Sequence, residues 1–316
     1  MDEHNNSEDQ EKKFLREIIN ANLKEKRSRR RWKIFFRLAV LGIVIFLIFS
    51  TQVTQEVPLG LSKSTEHTAL IRLEGVIFSG APAEASSINK TLQQAFENDN
   101  SKGVILYINS PGGSPVQSAQ INRKIRHLRN EYPDKPIYAV VNDICASGAY
   151  YVAVATDAIY TDRSSLIGSI GVIYDGFGFT GLIEKLGIER RAITAGEHKN
   201  MLDPFLPEKQ SDKQHVQALL DQIHQNFITA VTEGRKNKLK DESDIFSGLI
   251  WTGEEAVRLG LADAFGDSQH VADEIISAKE IIEYKPQTSF IDRLTQRIST
   301  HIKHIILEQV LFGTLH

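Results

Sequence analysis

Asn142-Asp143-Ile144-Cys145-Ala146-Ser147-Gly148-Ala149-Tyr150-Tyr151 is the stretch on which the reading of this 316-residue chain turns. It follows an apolar run, 136–141, that reads as a buried strand. It precedes small apolar residues, 149–155, that read as the start of a buried helix. Ser147 therefore stands where a strand turns into a helix. The first N–H groups of a helix have no intrahelical partner and carry the positive end of its dipole, so negative charge on a nearby oxygen is stabilised there. Gly148 lets the backbone come close to a bound carbonyl. The plainer alternative is that Ser147 is an N-cap serine.

Outward from that turn, Gly103-Val104-Ile105-Leu106-Tyr107-Ile108-Asn109 reads as a second buried strand, and it runs into Ser110-Pro111-Gly112-Gly113-Ser114. A Pro-Gly-Gly turn after a strand presents free backbone N–H groups, the donors that an oxyanion needs. Further on, Thr194-Ala195-Gly196-Glu197-His198-Lys199-Asn200-Met201-Leu202-Asp203-Pro204-Phe205 sets Lys199 among turn residues ahead of a Pro-Phe pair.

Taken jointly, Asn-Ser-Pro-Gly-Gly (109–113), Ala-Ser-Gly-Ala-Tyr-Tyr (146–151), Gly-Ser-Ile-Gly-Val (168–172) and Gly-Glu-His-Lys (196–199) form a specific pattern. The chain from about residue 69 to about 267 resembles the signal peptide peptidase A family of membrane-bound serine proteases, on the fold shared with the Clp protease and crotonases. The resemblance implies that Ser147 is the nucleophile and Lys199 the general base. It implies an oxyanion hole made by the glycine turn, Gly112-Gly113, with the amide of Gly148, and it sets Ser169 near the lysine amine. It implies peptide substrates, remnant signal peptides, with small or aliphatic side chains preferred. It also implies a ring- or dome-like homo-oligomer with active sites shared between subunits, Lys199 coming from the subunit next to the one supplying Ser147.

Strands at 69–78, 104–108, 137–141 and 158–161 alternate with helices at 88–97, capped by Ser87, and 116–130. Such alternation argues for an α/β fold with mostly parallel pairing. The resemblance implies a Clp protease/crotonase-like domain of repeated β-β-α units, preceded by one N-terminal transmembrane helix. Further along, a short helix at 182–186 and a strand at 189–194 lead to Lys199. One long helix follows at 208–238, with Val216, Leu219, Leu220, Ile223, Phe227 and Val231 inward, then helices at 253–259 and 271–279.

Residues 1–33 read as a polar, basic cytoplasmic tail, 34–53 as a transmembrane anchor, 54–68 as a linker, 69–285 as the protease domain and 286–316 as an amphipathic helical tail. Between positions 24 and 37 there are eight basic residues and one acidic, Glu25, directly before the uninterrupted apolar run 38–49. With its flanks that run approaches the roughly 20 residues a span needs. Positive-inside then sets the N-terminus in the cytoplasm, with a single pass of the cytoplasmic membrane and the catalytic domain on the far side, the periplasm in a Gram-negative cell. Membrane lipid is thus a partner through 34–53. The tail carries Ile291, Leu294, Ile298, Ile302 and Ile305 at helical spacing, suited to the membrane surface, a neighbouring subunit or its own domain. Lys and Arg total 37 against 40 Asp and Glu, so nothing calls for nucleic acid. A single cysteine excludes an intrachain disulfide.

A serine hydroxyl needs a base to become a nucleophile, and a lysine serves as base only when burial lowers its pKa. Ile193, Met201, Leu202 and Phe205 offer apolar walls for Lys199. His198, adjacent, is the competing base, since its unperturbed pKa suits the task. Cys145, two residues before Ser147, is the competing nucleophile, though cysteines in apolar runs are usually inert core. His127, His215 and His224 fall on predicted helices and read as structural. No metal-ligand spacing appears, so neither metal nor other cofactor is expected. A crotonase-like acyl-CoA enzyme, a non-enzymatic membrane scaffold and a protease that cuts intact membrane proteins are the rival readings. Acyl-CoA binding, failure of a serine reagent at Ser147, and a substrate survey respectively discriminate them.

Overall fold

The computed structural model describes residues 32, 35–39, 41, 42, 65–242 and 244–285. The chain divides into two units, Met1–Lys63 and Ser64–His316. In the first, the described residues are helical, and Trp32 packs its ring on Phe35 and Phe36 at centroid distances of 5.8 and 5.9 Å. Among the described residues no helix is long and apolar enough to cross a membrane. Most of the expected span 34–53, the linker to residue 64, and the whole tail 286–316 lie outside the described residues.

The second unit is a mixed α/β fold around one largely parallel sheet. Its strands are β1 (His67–Glu74), β2 (Ser101–Ser110), β3 (Ile137–Ala146), β4 (Ala158–Thr161), β5 (Leu166–Gly168), β6 (Ile250–Thr252), β7 (Ala264–Phe265) and β8 (Ile281–Glu283). The main path runs β6-β5-β3-β2-β1-β8, with β4 joining β3 to β7. All pairings are parallel except β5 with β6. Parallel neighbours need crossovers, and α1 (Ala85–Glu97) and α2 (Pro115–Glu131) supply them between β1, β2 and β3. The first half of the unit therefore runs βαβαβ. Among the described residues the expected β-β-α order occurs once, as β4, β5 and α4 (Thr180–Lys185), after α3 (Gly148–Ala153).

β1, β2 and β3 are buried on both faces, which is why they read as apolar runs without alternation. One face packs Leu73, Ile88, Leu92, Phe96, Leu106, Ile121, Ile125 and Tyr150 into the main core. The other packs Leu70, Ile105, Val140 and Tyr160 against Val271 and Ala272. α1 starts at Ala85 behind Glu84, two residues before the expected cap Ser87. α2 is capped by Ser114, whose hydroxyl accepts from Gln117 N, with Pro115 in the first turn.

β3 positions the site by forking. Its Tyr138, Ala139 and Val140 pair with β4, and its Ile144, Cys145 and Ala146 pair with β5 on the same edge. Against β2 the register jumps: Ile108 faces Val141, but Ser110 faces Cys145. The surplus residues Asn142 and Asp143 bulge outward and are exposed, which re-aims the end of the strand. Asn109 and Asn142 both donate to Asp143 Oδ2 at 2.9 Å and stiffen the bulge.

α5 (Gln210–Arg235) ends beside this framework. Arg235 is buried, donates from Nε to Gly260 O at 2.9 Å and pairs through Nη1 with Asp263 at 2.7 Å. The helix is shorter than the expected 208–238, its last residues forming a 3-10 turn, Lys236–Lys238. Phe227 and Val231 face the core as expected, but Leu219 and Ile223 are exposed, so the inward face is confined to the C-terminal half. The expected strand at 189–194 is absent: those residues are irregular and exposed, and no strand among the described residues pairs with them. α6 (Gly253–Leu259) forms as expected, and 268–276 is a short helix, Ser268–His270, running into a π turn, Val271–Ile276.

Candidate active site

Ser147 lies between β3 and α3, where the sequence sets it, but not as a capping residue. Its φ is 52° and ψ is −123°, and its side chain makes no cap hydrogen bond. This left-handed conformation is uncommon for serine and costs on the order of 1–3 kcal/mol, sustained only where surroundings impose it. Here Ser147 N donates to Gly168 O at 2.8 Å, and Tyr151 N donates to Ser147 O at 3.0 Å. Both sides of the residue are thus held, and the hydroxyl is turned from the helix end toward a cavity. A sharp strand-to-helix turn of this kind exposes a nucleophilic oxygen.

The cavity has a volume of about 400 Å³. Ser147, Gly148, Gly113, Ser118 and Ser169 line it, with Tyr151, Val172, Ile173, Ile223 and Phe227 as apolar walls. The glycine turn closes on the serine turn from the side. Gly112 has φ +96°, and a Cβ there would come within 2.6 Å of both Ala146 O and Gly148 N. Gly113 has φ +149°, and a Cβ would fall 2.3 Å from Ile77 O. A Cβ on Gly148 would meet Ser118 Oγ at 2.4 Å and Gly113 N at 3.2 Å. Only glycines allow these backbones to approach so closely. Ile77 N donates to Gly112 O and Ser114 N to Ile77 O, both at 2.8 Å, which fixes the turn from its outer side. The Gly113 and Gly148 amides have no acceptor among the described residues. Two unspent backbone donors beside a cavity-facing hydroxyl are the parts that acyl transfer requires.

Ser169 shares the cavity and also has an unusual backbone, φ 52°, fixed by donation from Ser169 N to Leu249 O at 2.7 Å. Lys199 is exposed and is not among the cavity's lining residues. One chain therefore brings together Ser147, Gly113, Gly148 and Ser169 but leaves Lys199 outside. His198 is outside as well; its Nδ1 donates to Asp212 Oδ1 at 2.7 Å. Cys145 is fully buried, and burial pushes its thiol far up, away from the reactive thiolate. Of the remaining histidines, His224 Nε2 lies 3.0 Å from Ile170 O, and His127 pairs with Glu131 on the surface of α2.

Two buried polar residues carry no motif. Ser118 is fully buried against Gly148, and among the described residues its hydroxyl has no hydrogen-bond partner. Its position four residues after Ser114, on the same face of α2, is the only signal the sequence holds. Asp212 is buried in the first turn of α5, where a carboxylate complements the dipole but rarely loses its water.

Residues 130–281 match the model of Peptidase family S49. A stretch of 203 residues is 46% identical to a protein of Brucella melitensis named Na(+)/H(+) antiporter NhaA, covering 63% of this chain and 27% of that relative. The chain thus spans about a quarter of that protein's length, and the name describes the relative. Similarity extends over 221 residues, at 30% identity, to the putative signal peptide peptidase SppA of Enterococcus faecium, covering 68% of this chain and 64% of the relative. A putative protease of Synechocystis is 32% identical over 204 residues, covering 64% of this chain and 70% of the relative.

Proposed function

From membership of peptidase family S49, to which this chain belongs, we propose that it is a serine endopeptidase with a Ser147/Lys199 dyad, anchored in the cytoplasmic membrane through residues 34–53 and degrading remnant signal peptides on the far side. The observation that carries the reading is the strained Ser147 turn beside the Gly113 and Gly148 amides, which have no acceptor among the described residues.

Ser147 Oγ attacks the scissile carbonyl carbon while the neutral Lys199 amine takes the hydroxyl proton. The carbonyl oxygen gains negative charge and accepts from the Gly113 and Gly148 N–H groups. The tetrahedral adduct collapses, the C–N bond breaks, and Lys199 returns the proton to the leaving amine. Water then repeats the sequence on the acyl-enzyme, with Lys199 as base. The apolar walls of the cavity suit an aliphatic side chain next to the scissile bond, as signal-peptide remnants offer. Lys199 must be desolvated to act as a base, and in one chain it is exposed. The reading therefore assigns it to the active site of a neighbouring subunit, which covers it.

A second reading has one observation in its favour. His198 is hydrogen-bonded to a buried aspartate, the arrangement that orients a histidine base toward a serine. Hydrolysis of apolar signal-like peptides by the full chain in detergent separates the two. Ser147→Ala and Lys199→Ala should each abolish turnover while the domain stays folded. Normal activity in either variant ends the dyad reading, and retention in Lys199→Ala with loss in Ser147→Ala and His198→Ala establishes the second.

A further inference from the structure

A buried carboxylate stands behind the proposed base. Asp212 has a side chain only 4% exposed, and among the described residues its one side-chain partner is His198, at 2.7 Å. An unpaired buried carboxylate is costly, so this hydrogen bond is not easily given up. Nδ1 carries the proton, since a carboxylate only accepts.

His198 directly precedes Lys199, and Lys199 Nζ has no partner among the described residues. Beyond the lysine the chain is fastened again. Asp203 accepts from Arg190 Nη2 and from Phe205 N, both at 3.0 Å, Phe179 N donates to Pro204 O at 2.6 Å, and the Phe179 and Phe205 rings stack. The segment is therefore tied to α5 on one side of the lysine and to the residues around α4 on the other. It has no strand or helix of its own to fix it.

We propose that His198 and Asp212 form a positioning clamp: they fix the backbone from which Lys199 projects, and His198 takes no substrate proton. This rests on Lys199 being the base. Consecutive Cα atoms are about 3.8 Å apart, so anchoring residue 198 sets the origin of the Lys199 side chain. A misplacement of about 1 Å at a reacting group costs on the order of 10²-fold in rate, and an unfastened segment of turns permits that much.

The test is steady-state peptide hydrolysis by the full chain in detergent. His198→Ala and Asp212→Ala should each lower kcat by about 10- to 100-fold with little change in KM. The double variant should be no worse than either alone, because one hydrogen bond is being lost. His198→Asn sets an amide N–H where Nδ1–H stands and should restore most of kcat. Because His198→Ala leaves a buried carboxylate without its donor, His198→Ala/Asp212→Asn is measured with it. That variant removes donor and charge together, keeps the side chain's shape, and should show the same loss in a folded protein. His198→Asn as inactive as Ser147→Ala would make His198 the base and overturn the clamp. Wild-type turnover in His198→Ala/Asp212→Asn would overturn it while leaving the dyad intact. Wild-type turnover in Lys199→Ala would remove the dyad reading, and the clamp with it.

Discussion

At the scale of single residues, the cost accepted at Ser147 separates a nucleophile from a cap. The sequence permits both, since a serine before a glycine and a helix suits either. The difference lies in φ, which is held by donation from Ser147 N to Gly168 O and from Tyr151 N to Ser147 O, pairings that the sequence does not reveal. Gly148 supplies a sharper test. A methyl group there would sit 2.4 Å from Ser118 Oγ and 3.2 Å from Gly113 N, one of the two proposed oxyanion donors. Gly148→Ala should therefore lower kcat by about 10²- to 10³-fold, the range for a lost oxyanion donor. Its thermal midpoint should fall too. Adding Ser118→Gly should recover the midpoint by removing the clash without recovering kcat, as melting curves and initial rates together will read. Cys145 gives the opposite case. Burial pushes its thiol well above the ordinary range, so the native protein should resist maleimide at pH 8 and react only when denatured. Mass spectrometry after a timed quench measures this, and modification of the native fold at the rate of a free thiol would put Cys145 back among the candidate nucleophiles.

At the scale of elements, legibility follows burial. β2 and β3 are continuous apolar runs because helices cover both faces, and such runs are readable without any partner in view. The fork of β3 is not readable, because it arises from a register jump between two strands. α5 is read correctly only where it packs. Phe227 and Val231 meet the core, whereas Leu219 and Ile223, on the same stripe, are left exposed. The C-terminal end of α5 carries a pH-dependent tie. Burial raises the pKa of Asp263, but hydrogen bonds from Arg235 and Lys238 outweigh it and hold the carboxyl below its usual value. A folded-state pKa below the unfolded one gives stability that is present above the unfolded value and is lost as pH falls through the folded one. Asp263→Asn should thus be less stable than wild type at pH 7. The gap in thermal midpoint should narrow as pH drops below about 4, the unperturbed range for aspartate. A gap that stays constant from pH 7 to pH 3 would show that the charge on Asp263 contributes nothing.

At the scale of the molecule, a single chain leaves its proposed chemistry divided. Ser147 and the glycine amides face one cavity, while Lys199 sits outside it on an exposed stretch. The same part of the chain displays apolar side chains to solvent: Ile193 fully, Ile173 and Phe177 at 80%, with Leu182, Leu186 and Ile188 beside them. Exposed apolar residues gathered on one segment mark a surface that another body covers. The strand expected at 189–194 belongs to this problem, since among the described residues that segment, which carries the exposed Ile193, has no neighbouring strand to pair with. The role proposed for the lysine is legible only through the family pattern, because neither its spacing nor its surroundings in one chain single it out. The proposed sharing of sites between subunits makes a specific demand on mixtures. Ser147→Ala subunits retain Lys199, and Lys199→Ala subunits retain Ser147. Co-expressed in one cell, the two inactive forms should recover hydrolysis, because some interfaces join an intact serine to an intact lysine. In a randomly mixed closed ring of equal parts, about a quarter of the serine–lysine pairings are intact, so recovery near a quarter of the wild-type rate is expected. Ile193→Asp in both forms should abolish that recovery and shift the sedimentation of the detergent complex toward smaller species. Recovery of nothing, from subunits that sediment together, would mean that each chain must supply both residues itself, and the segment carrying Lys199 would then have to fold back onto its own cavity.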